Sequence, residues 1–562
     1  MARKTQAKKK TAKKSSKKTK TKTTKKSEQA EPELSEKQRA AFEKKVAPGY
    51  THKGPQITLG AAVLDGVVTP EVPANIPLKT LNRHGLIAGA TGTGKTKTLQ
   101  IIAGELSAVG VPSLLMDIKG DLSGIAQPGE EKDFITKRHA GIGIDFESRG
   151  YPVEFFTLSG EKGARLRATV AEFGPILLSK ILDLNETQSG ILAVVFQYCD
   201  NNGLLLLDLP DLKKALMYVA EGHEDVVQEY GKVSKASAGT ILRKIVALEQ
   251  QEADIFFGER SFDVEDLVRI NEDGEGMVSV LRLTDVQSKP ALFSTFMLQL
   301  LAEVYEKFPE EGDLDRPKLA IFVDEAHLVF SNASKVLLEQ IEMIVKLVRS
   351  KGVGIFFVTQ NPGDIPASVL GQLGLKVQHA LRAFTAKDRK NIKLAAENFP
   401  LSNFYDAADL LTTMGIGEAM ITGLSEKGKP TPLIHCMLRA PASRMDVLTE
   451  AELDEAIAGS ELREKYNEVV DRESAYEILS KKIEDIAEQQ EAAVAEKTKA
   501  KKSGASRRRT KAEKSTLEKI ASSPLTKQIG RTVAREVTRG LLGVLGISTT
   551  RRRRRKKSSS WF

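Results

Sequence analysis

The stretch Gly89-Ala90-Thr91-Gly92-Thr93-Gly94-Lys95-Thr96 constrains this chain more than any other. It matches G-x-x-x-x-G-K-[ST], the phosphate-binding loop between a buried strand and the start of a helix. Both flanks fit. Leu86-Ile87-Ala88 reads as the end of a strand, and Thr98 to Val109 as a helix with Leu99, Ile102, Ala103 and Leu106 on one face. The glycines let backbone N–H groups turn inward around phosphate oxygens, where a helix N-terminus already favours anions. Gly89 through Lys97 is therefore the expected triphosphate cradle. Lys95 reaches the β/γ-phosphates and the Thr96 hydroxyl holds Mg²⁺. No Asn-Lys-x-Asp guanine signature occurs, which favours ATP.

Strand-like and helix-like segments alternate around this loop, the pattern of a parallel sheet with right-handed crossovers. Ser113–Asp117, Val153–Leu158, Val278–Leu283, Leu319–Val323 and Gly354–Thr359 are apolar runs of buried-strand type, joined by Lys376–Ala383, Glu418–Thr422 and Leu433–Leu438. The reading is α/β, with roughly eight mostly parallel strands and helices on both faces. Short strand pieces at Ile57–Leu64 and near Pro77-Leu78 precede it, and the about 35 residues there are too few to close a barrel.

The organisation expected is an ATPase domain in two parts, 34–162 and 276–445, split by a mostly helical insertion at 163–275. Helical spacing recurs in that insertion through Phe173–Leu182, Ile191–Tyr198, Leu212–Ala220 and Ala238–Gln250. Asp183-Leu184-Asn185-Glu186 reads as a helix start, not a metal site. A charged helical extension follows at 446–499, opened by a Thr449/Glu452 capping box. Then come a basic linker (500–523), an amphipathic helix (524–546) and a basic tail (547–562).

Charge is unevenly placed. The chain has net charge +10, but residues 1–26 alone carry +13 and residues 501–562 carry +16, leaving −19 for the body between them. Residues 1–33 are too poor in apolar groups to offset ordering entropy and read as a disordered tail. Polyanion binding by such tails is salt-sensitive and says little about the body. No apolar run approaches the roughly 18 residues of a membrane span. The N-terminus lacks the apolar core of a signal peptide, and Cys199 and Cys436 stand far apart, so a reducing cytoplasm is expected.

The second half of the site is Asp324-Glu325, at the end of the strand Leu319–Val323. Asp324 is placed to hold Mg²⁺ through its water shell, and Glu325 to polarise the attacking water as general base. A second acid suits hydrolysis better than transfer to a metabolite. Gln360, at the end of the next strand, can touch both γ-phosphate and lytic water. Arg349 and Arg382 are the two candidate arginine fingers, in trans if the site lies between subunits. His327 reads as packing or a hydrogen bond to the loop, not as a catalytic group.

Together GATGTGKT, MDIKGDLSG, FVDEAHLVF and VTQNPGDIPASVLGQLGLKVQHALRA resemble the HerA/FtsK branch of RecA-like motor ATPases, and more narrowly the bacterial YjgR-type HerA-like proteins. The resemblance covers about residues 45–485 and extends to the RGLLG segment, Arg539 to Gly543. It implies a RecA-like fold, ATP hydrolysis with Mg²⁺, a homo-hexameric ring and translocation of DNA. Two other readings stay open from the residues. One is ATP-driven remodelling of a protein partner through the helical insertion, with no nucleic acid. The other is a membrane-surface role for the helix 525–545, which reads first as an oligomerisation or docking element.

Overall fold

Apolar runs without polar alternation need cover on both faces, and the chain supplies it. The computed structural model describes residues 34–506, except 313 and 332–334. Both tails, the amphipathic helix 524–546 and most of the linker 500–523 lie outside the described residues.

The strands are β1 (Gln56–Leu64), β2 (Val67–Pro77), β3 (Gly85–Ala88), β4 (Ser113–Asp117), β5 (Val153–Thr157), β6 (Ala164–Arg165), β7 (Val278–Arg282), β8 (Leu319–Val323), β9 (Val353–Thr359), β10 (Leu375–Gln378), β11 (Glu418–Thr422) and β12 (Ile434–Leu438). They form one sheet in the order β2-β1-β12-β11-β10-β3-β9-β8-β4-β7-β5-β6. From β10 to β6 the pairing is parallel throughout. From β10 back to β2 it is antiparallel. Six of the eight expected strands lie in the parallel block, with β3 and β6 beside them; the other two, β11 and β12, are antiparallel, and the full sheet has twelve. The piece read near Pro77-Leu78 is the end of the long strand β2, and Leu78–Arg83 is a 3₁₀ turn. β1 and β2 form a hairpin added to the sheet edge, not a barrel.

Successive residues on the central strands feed opposite cores, as period-two geometry requires. Leu115, Phe322, Phe356 and Val358 pack under the helix Lys95–Ala108, with Phe42 and Leu453 from flanking helices. Leu114, Met116, Ile321, Val323 and Phe357 pack instead with Pro290–Lys307, Lys335–Val348 and the insertion. Phe322 and Phe356 stack across β8 and β9 at 4.7 Å.

The four helices expected in the insertion form, as Val170–Ile181, Glu186–Asn201, Leu209–Glu221 and Lys235–Glu249, and a fifth, Glu224–Tyr230, joins them. Asn185 caps the second of these with a reciprocal Gln188 contact, so the Asp183–Glu186 turn is a helix start. The insertion shares one continuous apolar core with the helix Pro290–Lys307. The capping box of Thr449 and Glu452 is present. The last described helix, Ala475–Ser506, runs into the stretch read as linker. Its start is tied to the insertion, where Asp211 accepts hydrogen bonds from the Ser474 hydroxyl at 2.5 Å and the Tyr476 N–H at 2.8 Å.

Candidate nucleotide site

The loop between β3 and the helix Lys95–Ala108 lies at the C-terminal end of the parallel block, where open α/β sheets bind ligands. Gly89 packs so closely on His379 that a Cβ would sit 2.5 Å from that side chain. Gly94 caps the helix at φ +119°, offers no side-chain cap, and so leaves the first-turn N–H groups facing the loop. Neighbouring strands pin the loop. Gly89 N–H donates to Thr359 at 3.2 Å, Ala90 N–H to Ala380 at 2.9 Å, and Gly417 N–H to Thr93 at 3.1 Å. The buried Lys95 ammonium crosses the loop to the carbonyls of Gly89 and Ala90, at 2.7 and 3.1 Å.

Lys97 does not join this cradle with its side chain. Its ammonium is donated to the Met445 carbonyl and lies among Asp121, Asp446 and Asp117.

β8 delivers Asp324 and Glu325 two strands away from β3, with β9 between them. Both carboxylates are 3% exposed. Burial pushes Asp324 up to about 6, although the Lys119 ammonium 3.7 Å away opposes this. Glu325 adopts φ +45°, a strained conformation for a non-glycine residue that turns its side chain out of the strand direction. Lys119 lies 2.5 Å from its Oε1 and His327 Nδ1 lies 3.0 Å from its Oε2. Burial alone would raise the Glu325 carboxyl; Lys119, His327 and Gln360 hold it below the usual range. His327 is thus a partner of Glu325 as well as a packing residue.

Gln360 follows β9, between β3 and β8. Its amide faces Glu325, and its Oε1 accepts from the Thr91 hydroxyl of the phosphate loop at 3.5 Å. One side chain therefore touches both the loop that holds phosphate and the acid that would activate water.

Sequence reasoning gave no role to the loop after β4. Asp117 accepts from the N–H groups of Gly120 (2.7 Å), Asp121 (3.2 Å) and Leu122 (3.1 Å), which curls the loop so that Lys119 meets Glu325. Burial raises Asp117 to about 6 against those three donors. Asp121 accepts from the Thr96 hydroxyl at 3.3 Å. The available signal was position: MDIKGDL ends a buried strand at the ligand end of the sheet. No sequence signal marks His379, which bonds Thr98 at 2.8 Å and backs the loop.

The donor set fits Mg²⁺. Asp324 Oδ2 and Asp121 Oδ1 are buried without a hydrogen-bond partner, next to the Thr96 hydroxyl. Among the described residues there is no cluster of three or more acidic, His or Cys ligands. A Mg²⁺ held by one or two carboxylates plus substrate phosphates needs none.

The two arginines part company. Arg349 lies in the exposed turn before β9, at the opposite end of that strand from Gln360. Seven residues of strand at about 3.3 Å each put roughly 23 Å between them, so Arg349 does not reach its own phosphate loop. Arg382 is not in a strand. β10 ends at Gln378 because His379 and Ala380 bend over the phosphate loop, and Arg382 lies in the exposed segment beyond.

Residues 64–553 match the sequence profile of the family described as helicase HerA-like C-terminal. The chain belongs to that family. The DNA double-strand break repair helicase HerA of Sulfolobus acidocaldarius is 24% identical over 376 residues, spanning 64% of this chain and 66% of that protein. Its namesake in Sulfurisphaera tokodaii is 26% identical over 380 residues, 65% and 67% of the two chains. The HerA-like chain thus spans about two thirds of the length of these relatives. Among solved structures, the plasmid coupling protein TrwB with a non-hydrolysable ATP analogue aligns over 72% of this chain and 94% of its own, at 13% identity and TM-score 0.47. Among the described residues of the HerA-like chain, no helix is long and apolar enough to cross a membrane.

Proposed function

We propose that this HerA-like ATPase hydrolyses ATP with Mg²⁺ as the motor of a homo-hexameric ring that moves DNA, in the cytoplasm. The carrying observation is the single side chain, Gln360, that touches both Thr91 and Glu325. A phosphate loop alone implies binding; a buried acid beside it, strained in place and linked to the loop by an amide, suits hydrolysis reported to the surrounding structure. Lys95 and the loop amides hold the phosphates. Thr96 and Asp324, with Asp121, are the residues that would hold Mg²⁺, which when bound neutralises phosphate charge. Glu325 takes the proton of the attacking water, and Gln360 orients that water. The names of the relatives support DNA as the substrate.

Arg349 fits a role in trans. It lines a cleft of about 430 Å³ with Arg83, Lys346 and Lys376, at the end of the sheet away from its own phosphate loop. In a ring whose subunits meet end to end, such a face meets the neighbour's triphosphate. Arg382, two residues past the Ala380 carbonyl that takes the Ala90 N–H, is the candidate for the subunit's own site.

Steady-state ATP hydrolysis with and without duplex and single-stranded DNA, paired with native mass measurement in an ATP analogue, tests the reading. Stimulation and a six-subunit mass are expected. A monomer whose rate ignores every nucleic acid would sink it and favour protein remodelling through the insertion. Arg349→Ala doped into wild-type rings should depress activity more steeply than its mole fraction if it acts in trans.

A further inference from the structure

A cleft of about 650 Å³ opens at the β6 edge of the sheet, away from the nucleotide site; Lys162, Arg165, Arg167, Arg463, Asp454 and Asn467 line it. Its charges do not balance. Lys162 is spent on Glu450 at 2.9 Å and Asp454 at 2.6 Å. The Glu161 carboxylate in the wall is paired with Arg282 at 3.3 Å. Arg167 donates from Nη1 to the carbonyls of Glu259 and Tyr466, at 2.9 and 3.1 Å, which holds the guanidinium in place without neutralising its charge. Arg165 is anchored through its backbone, where Asn467 accepts its N–H at 2.8 Å. Among the described residues, no carboxylate pairs with the guanidinium of Arg165 or of Arg463.

Three uncompensated guanidinium groups therefore converge on one concavity. Burial, and then the Arg165 charge beside it, push Arg167 below its ordinary pKa. Like charges held together at a half-buried wall cost free energy unless an anion sits among them. The body carrying them is acidic overall, at −19 outside the tails, so this is a local exception to the body's charge.

We propose that this cleft grips the sugar-phosphate backbone of a nucleic-acid strand. Guanidinium forks match phosphate oxygens two at a time and stay charged. The apolar lining is Ile457, Ala458 and Val469, with no aromatic ring to stack a base. A free nucleotide would lack a seat for its base there, whereas a backbone needs none, and the contact carries no sequence preference.

The cleft's position suits a motor. Arg165 ends β6, which runs parallel to β3, so the cleft opens at the same end of the sheet as the phosphate loop. Six strand spacings, about 29 Å, separate the two. Arg282 spans part of that distance. It ends β7 opposite Asp117, donates to the Lys162 carbonyl at 3.0 Å and pairs with Glu161. Leu283 N–H in turn bonds the Asp117 carbonyl at 2.9 Å. A shift of the β4 loop with nucleotide state is thus one hydrogen-bonded strand away from the cleft wall.

The proposal rests on the DNA-motor reading, and the experiment separates the two. Fluorescence anisotropy of a labelled 30-nucleotide single strand and its duplex is followed across a salt series, for the full chain and for the double variant R165E/R463E. The basic tails contribute equally to both proteins, so the difference isolates the cleft. The expected result is at least a tenfold loss of affinity at physiological salt, a salt slope shallower by about 1.4 for the single strand and about 1.8 for the duplex, unchanged ATP hydrolysis without DNA, and loss of stimulation by DNA. Cross-linking supplies an independent measure, since Cys199 and Cys436 are buried and an introduced surface thiol is labelled selectively. An aryl azide on Arg463→Cys should capture the strand, and one on Lys393→Cys should not. If wild type binds DNA while R165E/R463E keeps its affinity and slope, or the two azides cross-link equally, the cleft assignment is overturned and the motor reading stands. If wild type neither binds DNA nor is stimulated by it, both fall.

Discussion

Replacing Glu325 by Gln tests the assignment of the reacting groups most directly. The amide keeps the volume and can still face Gln360, so the Thr91–Gln360 contact and the phosphate loop should be undisturbed. What disappears is the base, together with the charge that holds Lys119 at 2.5 Å. Lys119 is 38% exposed, so the lost pair is screened and worth about 0–1 kcal/mol to stability. Relief of repulsion between two buried acids offsets part of even that. Hydrolysis should fall much further. Positioned general bases contribute about 10²- to 10⁴-fold, or roughly 3 to 5 kcal/mol of barrier. Nucleotide affinity, set by Lys95 and the loop amides, should change less than about threefold, around 0.6 kcal/mol. Phosphate-release kinetics at saturating ATP, alongside a fluorescent-ATP titration, read the two quantities separately. A Glu325→Gln protein that turns over within threefold of wild type would refute the general-base role; one that fails to bind ATP would show Glu325 to be part of the cradle.

Lys95→Ala removes the one ammonium inside the loop and should abolish measurable nucleotide binding, checked by the same titration, with an unchanged fold by circular dichroism. Lys119→Ala leaves only His327 and Gln360 to oppose burial at Glu325, so its carboxyl rises and the acid limb of the ATPase pH profile moves to higher pH; an unmoved limb would mean that Lys119 does not act on the base. Asp225 joins the insertion to the terminal helix by accepting from Lys482 at 2.8 Å, Tyr198 at 2.9 Å and Tyr218 at 3.1 Å. Burial opposes its ionisation, but those donors hold it at about 2. A folded value below the unfolded one gives stability that is complete above about pH 4 and lost as pH falls toward 2. Asp225→Asn should therefore cost about 1 kcal/mol or less in urea unfolding from pH 5 to 8, since the group is partly exposed, and the difference from wild type should shrink below pH 4.

The phosphate-loop pattern and the acid pair were readable in linear order. Gly89 to Thr96 needs only its own glycines and the helix behind it, and Asp324-Glu325 needs only five apolar residues that bury a strand and end it. The helix start at Asp183–Glu186 and the capping box at Thr449 were equally local, because each is settled within a few residues. The parallel block followed from continuous apolar runs that alternate with helical segments, a pattern that does not depend on partners.

Strand order, by contrast, is a property of packing. Nothing in residues 355–360 states that β9 sits between β3 and β8, and only that neighbourhood puts Gln360 against both Thr91 and Glu325. The role of Lys119 has the same origin: Asp117 must curl the loop after β4 before an ordinary surface lysine meets a buried acid. The end of β10 was misjudged because its apolar pattern continues through Leu381, while the phosphate loop takes the Ala380 carbonyl for Ala90. Arg349 looked close to the site in sequence, yet the strand that follows it carries it to the far end of the sheet. Sequence alone determined a phosphate-loop pattern between strand and helix and an acid pair at the end of a buried strand. Tertiary structure decided which residues surround that acid, which arginine lies too far to reach its own phosphate loop, and where, among the described residues, an acidic body gathers three guanidinium groups without a carboxylate partner, because each depends on strands adjacent in space and remote along the chain.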